Sequence, residues 1–277
     1  MPGAFVLDWS MCRYTVNGIW ALNYPRAGGC RLTASPIFNN AALASVRNKT
    51  DHWFSDLLGL FLPRRCAACD DPLMQAERGA CLACANDLPF TRFHDMPGNP
   101  VEQLFLGKVD MHAASALLRF NRSGQVKRML HRLKYQGDRD IGMELGCLMA
   151  KAVVASSRFE GIDSVLPVPL HPSRLRTRGY NQAQVLVDGF REVWPLEPLA
   201  NELVRTVPTP SQTRKGRQER WLNVVRAFEL TDPGSLTGRH VLLIDDVITT
   251  GATMEACARA LLSTPNVRVS AMVAAMA

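Results

Sequence analysis

Asp245 and Asp246 stand side by side after the apolar run Val241-Leu242-Leu243-Ile244, and Val247-Ile248-Thr249-Thr250-Gly251-Ala252-Thr253 follows them. The run predicts a buried strand, and the residues after the acids predict a short loop opening a helix. Backbone N–H groups and hydroxyls of Thr249, Thr250, Gly251, Ala252 and Thr253 can converge on one phosphate, with the positive end of the helix dipole behind them. Gly251 permits close backbone approach. Two carboxylates beside a phosphate repel it unless they serve hydroxyls or a bound cation. The pair therefore points to a sugar with free vicinal hydroxyls, held next to its own phosphate. A helix N-cap accounts for one such residue, not for two acids, three threonines and a glycine. No Gly-Lys-Ser/Thr of a Walker loop is present.

A second segment, Pro167 to Gln182, follows the short apolar run Ser164 to Val168 and carries Arg174, Arg176 and Arg178 at every second position. Arginines on a loop near a phosphate site can fold over a diphosphate and neutralise it by paired hydrogen bonds. They can equally bind nucleic-acid backbone, and a solvated loop with arginines in water is the plain reading.

Cys66-Ala67-Ala68-Cys69 and Cys81-Leu82-Ala83-Cys84 are two Cys-x-x-Cys knuckles separated by eleven residues. Two such turns place four thiolates around one tetrahedral Zn²⁺. A closed four-sulfur site has no open position, so the expected role is structural. A redox pair and an iron–sulfur cluster are the alternatives for the same ligands. Cys147 and Cys257 fall on apolar helical faces and read as core. The histidines are scattered, and no residue is assigned as catalytic acid, base or nucleophile.

The elements that must position these groups follow from periodicity. Helices are expected at Asp51 to Leu62, Gln125 to Leu133, Ile141 to Ser156, Tyr180 to Val193, Gln218 to Val225 and Thr253 to Ser263. Strands are expected at Leu117 to Phe120, Ser164 to Val168, Glu202 to Arg205, His240 to Ile244 and Val267 to Val273. Strands alternating with helices predict an α/β fold, a mostly parallel twisted sheet flanked by helices on both faces. Residues 1–50 read as an irregular extension, 51–90 as a helix plus the cysteine module, and 115–277 as the α/β domain. Residues 85–118, with three prolines, read as a connector.

Lys and Arg number 32 against 25 Asp and Glu, a net charge of +7 that suits a phosphate-bearing ligand without requiring one. No apolar stretch reaches the roughly 18 to 20 residues of a membrane span. Met1 to Ser10 lacks a basic start, and Asp8 interrupts its apolar piece, so it does not read as a secretory signal. A cytoplasmic location is expected, and there a disulfide framework among the eight cysteines is disfavoured.

The block from Val241 to Thr253 resembles the phosphoribosyl pyrophosphate (PRPP) motif of type I phosphoribosyltransferases. The resemblance implies that Asp245 and Asp246 contact the ribose hydroxyls, that Val247 and Thr249 to Thr253 bind the 5′-phosphate, and that Mg²⁺ accompanies PRPP. Pro167-Val168-Pro169, then Arg178-Gly179-Tyr180-Asn181-Gln182, resembles the ComF family. So do Lys134-Tyr135-Gln136-Gly137-Asp138, Thr209 to Gln212, Arg220 to Asn223 and Ala227-Phe228. Members of that family carry a phosphoribosyltransferase-like domain, often with a small cysteine module. The resemblance, over residues 52–277, implies a PRPP-binding protein able to transfer the phosphoribosyl group. The alternative it implies is a competence or DNA-uptake accessory protein that binds single-stranded DNA or a DNA-processing partner. Against direct single-strand recognition, only 7% of residues are aromatic, few for base stacking.

Overall fold

The computed structural model describes residues 64–74, 77–120, 124–199, 202–206 and 227–277. The extension at 1–50, the helices at 51–62 and 218–225, and the stretches 209–212 and 220–223 lie outside the described residues. Arg65 to Ala277 forms one unit, so the cysteine segment is part of the same body as the α/β elements.

That unit contains α1 (Leu82–Asn86), α2 (Pro100–Gln103), β1 (Ala113–Arg119), α3 (Gln125–Tyr135), α4 (Arg139–Val154) and β2 (Ser164–Pro167). It continues with α5 (Pro172–Arg178), α6 (Gln182–Val193), β3 (Glu197–Pro198), β4 (Leu203–Arg205) and β5 (Phe228–Leu230). β6 (His240–Ile248), α7 (Ala252–Leu262) and β7 (Arg268–Met276) complete it. Five strands form a parallel sheet in the order β1–β7–β6–β2–β3, and β4 pairs antiparallel with β5. The α/β class expected from the alternation is the one observed. The central strands read as near-continuous apolar runs because helices cover both faces.

β1 begins at Ala113, inside the stretch read as connector. Its first residues, Ala113-Ala114-Ser115-Ala116, are small and do not alternate, so no period marks them. They are buried against β7, where Ala114 pairs with Ala271. α2 opens behind Asn99, whose side chain accepts the N–H groups of Val101 at 2.9 Å and Glu102 at 3.3 Å. This buried cap also donates to Ala114 O at 2.8 Å, tying the former connector to β1.

α4 and α6 touch backbone to backbone. A Cβ on Gly146 would collide with the carbonyl oxygen of Leu186, and one on Gly189 with that of Met143. Neither obstacle is a flexible side chain, so the helices would have to separate. Gly146→Ala is expected to lower stability by about 3 kcal/mol, the upper range for overpacking. Urea unfolding with an unchanged m-value measures it, and a loss below about 0.5 kcal/mol would contradict this packing.

At the amino end of β6, His240 is fully buried. Its Nε2 lies 2.9 Å from Ser270 Oγ, its ring meets His112 edge-on at 4.7 Å, and its backbone N–H donates to Asp163 Oδ2 at 3.0 Å. Burial lowers its pKa from 6.5 to about 4, with His112 and Arg268 adding to the effect and Asp163 opposing it. Between those values the unfolded chain binds a proton that the folded protein refuses. The His240 contribution to stability is therefore expected to fall as pH drops from 6.5 toward 4, by about 3 kcal/mol in total. The difference in denaturant midpoint between the parent and His240→Gln across that window checks this, because buried groups common to both cancel.

Candidate functional site at the carboxyl edge of the sheet

β6 runs on to Ile248, past the expected end at Ile244. Aspartate disfavours strands, but β7 holds this one: Asp245, Val247 and Ile248 pair with Val273, Ala275 and Met276. The two acids thus lie within the strand, and their side chains leave opposite faces of the sheet. Asp246 shares the face of Leu242 and Ile244. There Lys134 Nζ, at the end of α3, sits 3.0 Å from Asp246 Oδ2, with both groups largely buried. Asp245 shares the face of Val241 and Leu243, and its Oδ1 accepts the Asp246 N–H at 2.8 Å.

Burial, together with the adjoining Asp246 charge, pushes the Asp245 carboxyl up to about 7, against the pull of Lys134 and Arg205. Burial also pushes the Cys257 thiol up, and the Asp245 charge adds to it. Arg205 lies over the Phe228 ring at 5.2 Å. Burial lowers its pKa, and the charge of Arg174 lowers it further. The edge therefore gathers Lys134 and Arg205 around two carboxylates, with Arg174 near Arg205.

Directly beyond β6, Thr249 and Thr250 are exposed and Gly251 turns at φ 77°. A Cβ at Gly251 would approach the Phe105 ring to 3.1 Å and Leu104 to 3.3 Å, so both the conformation and the space call for glycine. Gly251 caps α7 with no side-chain hydrogen bond to the first turn. Ala252 is exposed and Thr253 half-buried at that amino terminus.

The arginines of the second segment sit on a helix rather than on a loop. Pro172 at the first turn and His171 Nδ1, which accepts the Ser173 N–H at 3.2 Å, start α5, and Gly179 at φ 77° ends it. With 3.6 residues per turn, Arg174 and Arg178 become neighbours and Arg176 points the other way. The alternating spacing concealed this because α5 buries none of its residues and has no apolar stripe. Arg178 Nη1 donates to Gln182 Oε1 at 2.8 Å, and its guanidinium lies 5.4 Å from the centre of the Tyr135 ring. Asn181 caps α6 through the Ala183 N–H at 3.1 Å and donates to Val168 O at 3.1 Å. Val168 N in turn donates to Ile244 O at 2.9 Å. This chain of bonds fixes the arginine segment to the strand edge next to Asp245.

Lys134 is the site residue that sequence reading left without a role. Its motif was visible, but nothing in a turn 112 positions earlier announces contact with Asp246. The rest of that motif shapes the turn. Gly137 adopts φ 70°, and Asp138 precedes α4 and pairs with Arg132 Nε at 3.2 Å. The neighbouring Tyr180 hydroxyl donates to Leu133 O.

The sulfurs of Cys66, Cys69, Cys81 and Cys84 all lie within 4.8 Å of one another, and those of Cys69 and Cys81 are 3.7 Å apart. A tetrahedral ion with bonds of about 2.3 Å spaces its sulfurs by about 3.8 Å. The four cysteines therefore fit one metal ion. Cys66 Sγ accepts the N–H groups of Cys81 at 3.3 Å and Ala68 at 3.4 Å. Burial raises its pKa, but these backbone donors outweigh burial and bring it down to about 7, which favours the thiolate. No described helix is long and apolar enough to cross a membrane.

The Phosphoribosyl transferase domain family matches residues 177–275. DNA utilization protein YhgH of Escherichia coli O157:H7 is 27% identical over 223 residues, 73% of this chain and 92% of that protein. Competence protein ComFC of Bacillus subtilis is 34% identical over 158 residues, 53% of this chain and 60% of its own length. Competence protein F of Haemophilus influenzae is 32% identical over 130 residues, 46% of this chain and 57% of that protein. The chain thus spans somewhat under two thirds of these two competence proteins. Its parallel sheet flanked by helices and its cysteine cluster, together with these likenesses, support a ComF-family protein with a phosphoribosyltransferase-like domain.

Proposed function

We propose that this protein binds PRPP, or a related ribose 5-phosphate ligand, together with Mg²⁺. One observation carries the reading: two carboxylates near the carboxyl end of a central parallel strand lie two residues before a Thr/Gly turn at a helix amino terminus. Ligands of open α/β sheets bind at that edge. In this reading Asp245 and Asp246 take the ribose hydroxyls. Val247, Thr249, Thr250, Gly251, Ala252 and Thr253 line the 5′-phosphate, and Arg174 and Arg178, on one side of α5, serve the diphosphate, with Arg176 facing away. The two carboxylates alone suit a Mg²⁺ that arrives with the diphosphate, since this ion commonly takes one or two carboxylates plus phosphate oxygens and water. When bound it would neutralise diphosphate charge. The same arrangement suits transfer of the phosphoribosyl group with departure of pyrophosphate, the residues contributing position and charge.

The four-cysteine centre is proposed to hold structural Zn²⁺, the ion that best suits four thiolates in a closed tetrahedral site. A cytoplasmic location accords with thiolates kept reduced.

A second reading, a DNA-handling accessory, draws on the names of the relatives and on one surface. α5 presents its arginines with no buried residue, and the Tyr135 ring beneath Arg178 is 64% exposed. Titration of the full chain with PRPP and Mg²⁺, then with a single-stranded oligonucleotide at two salt concentrations, separates the two. Saturable PRPP binding supports the first. Oligonucleotide binding that falls steeply with salt, without PRPP binding, supports the second and overturns the first.

A further inference from the structure

We infer that Arg128 and Arg132 are positioning residues that hold α3 to the cysteine knuckle and thereby set Lys134 against Asp246. The metal centre and the carboxylate edge then share one rigid element. The inference rests on the proposed PRPP site only for its ligand readout.

The contacts are specific. Arg128 Nε donates to Ala68 O, inside the first Cys-x-x-Cys turn. Arg132 Nη1 donates to Cys66 O at 3.0 Å and to Asp70 Oδ1 at 3.2 Å, and its Nε lies 3.2 Å from Asp138 Oδ2. The two arginines are four residues apart, on one flank of the helix. Val126, Met129, Leu130 and Leu133 form the buried stripe. Lys134, about 200° around the helix from Arg132, leaves from the other flank and reaches Asp246 at 3.0 Å.

Three features make α3 a lever rather than a bystander. Both carbonyls that the arginines grip belong to the ligand turn, so the turn's shape decides whether they can be reached. A Cys-x-x-Cys turn keeps that shape only while its sulfurs are held together. The helix has 11 residues and ends at the site, with Lys134 in its last turn. A change at the knuckle therefore arrives at Asp246 as a movement of Lys134, with no other segment needed to relay it.

The test uses the zinc-loaded full chain and the double variant Arg128→Gln/Arg132→Gln. Zinc content and circular dichroism first establish that it is loaded and folded. If it is not, Arg132→Lys replaces it: a lysine keeps the charge but cannot serve the Cys66 carbonyl and Asp138 together. The variant is expected to bind PRPP·Mg²⁺ about tenfold more weakly than the parent. In a Lys134→Met background the same arginine changes should add almost nothing. Parental affinity, or a loss that adds in full to that of Lys134→Met, overturns the positioning role. Hydrogen exchange gives a readout that needs no ligand. Stripping zinc from the parent should speed exchange over residues 125–136 and 245–248, and the arginine variant should exchange fast there with zinc still bound. Exchange unchanged by both treatments overturns the inference. A parent that binds no PRPP overturns the site reading alone, and exchange then decides the positioning role.

Discussion

Asp246→Asn is expected to weaken PRPP·Mg²⁺ binding by about 100-fold. The substitution removes charge-assisted acceptance of a ribose hydroxyl, worth about 1.5 to 3 kcal/mol. It also leaves the largely buried Lys134 ammonium, now 3.0 Å from Asp246 Oδ2, facing a neutral amide. The freed ammonium can itself attract a ligand phosphate, so the expected loss rests on the ribose contact. Calorimetric titration of the folded variant measures the effect. Affinity within about threefold of the parent would remove Asp246 from the ligand site. Lys134→Met is the companion measurement, because it separates loss of the carboxylate from loss of its partner.

Removing the knuckle metal should have the largest effect on stability. Cys66 and Cys84 are buried, and Ala67 and Ala68 between the first pair of ligands are nearly inaccessible, so the ligand turn is part of the packed unit. Ala80 N also donates to the buried Glu144 of α4 at 3.2 Å. Without a metal, four sulfurs within 4.8 Å of one another have nothing to hold them, and any thiolates among them repel. Cys66→Ser is expected to abolish stoichiometric zinc and lower Tm by about 10 °C, with new protease cleavage between residues 65 and 84. Cys257→Ser lies far from the cluster in sequence and should keep its zinc. Full zinc occupancy and an unshifted Tm in Cys66→Ser would exclude a structural four-sulfur centre.

The sequence was most legible where a period or a spacing has one physical cause. The stripe of Val126, Met129, Leu130 and Leu133 placed α3, and the observed helix extends it by two residues to Tyr135. The two Cys-x-x-Cys turns predicted a single cluster, and their sulfurs do converge. The apolar run marks β6 from His240 to Ile244, but the strand continues to Ile248, because pairing with β7 overrides the poor strand propensity of aspartate. That difference has a consequence at the site. Acids placed beyond a strand look interchangeable, whereas acids inside it face opposite sides and meet different partners. α5 was unreadable for a different reason: a short helix with no buried residue leaves no hydrophobic period. Lys134 belongs to a third class, a contact made across 112 positions of chain by the fold as a whole. Local pattern carries no trace of such pairs.

The central claim is that one edge of the sheet holds a ribose and its 5′-phosphate at once. A crystal structure of the zinc-loaded protein with PRPP and Mg²⁺ tests it most directly. The account predicts ribose hydroxyls within hydrogen-bond distance of Asp245 and Asp246, with the phosphate against the N–H groups of residues 249–253. A ligand found elsewhere, or that edge empty at a saturating PRPP concentration, would contradict it.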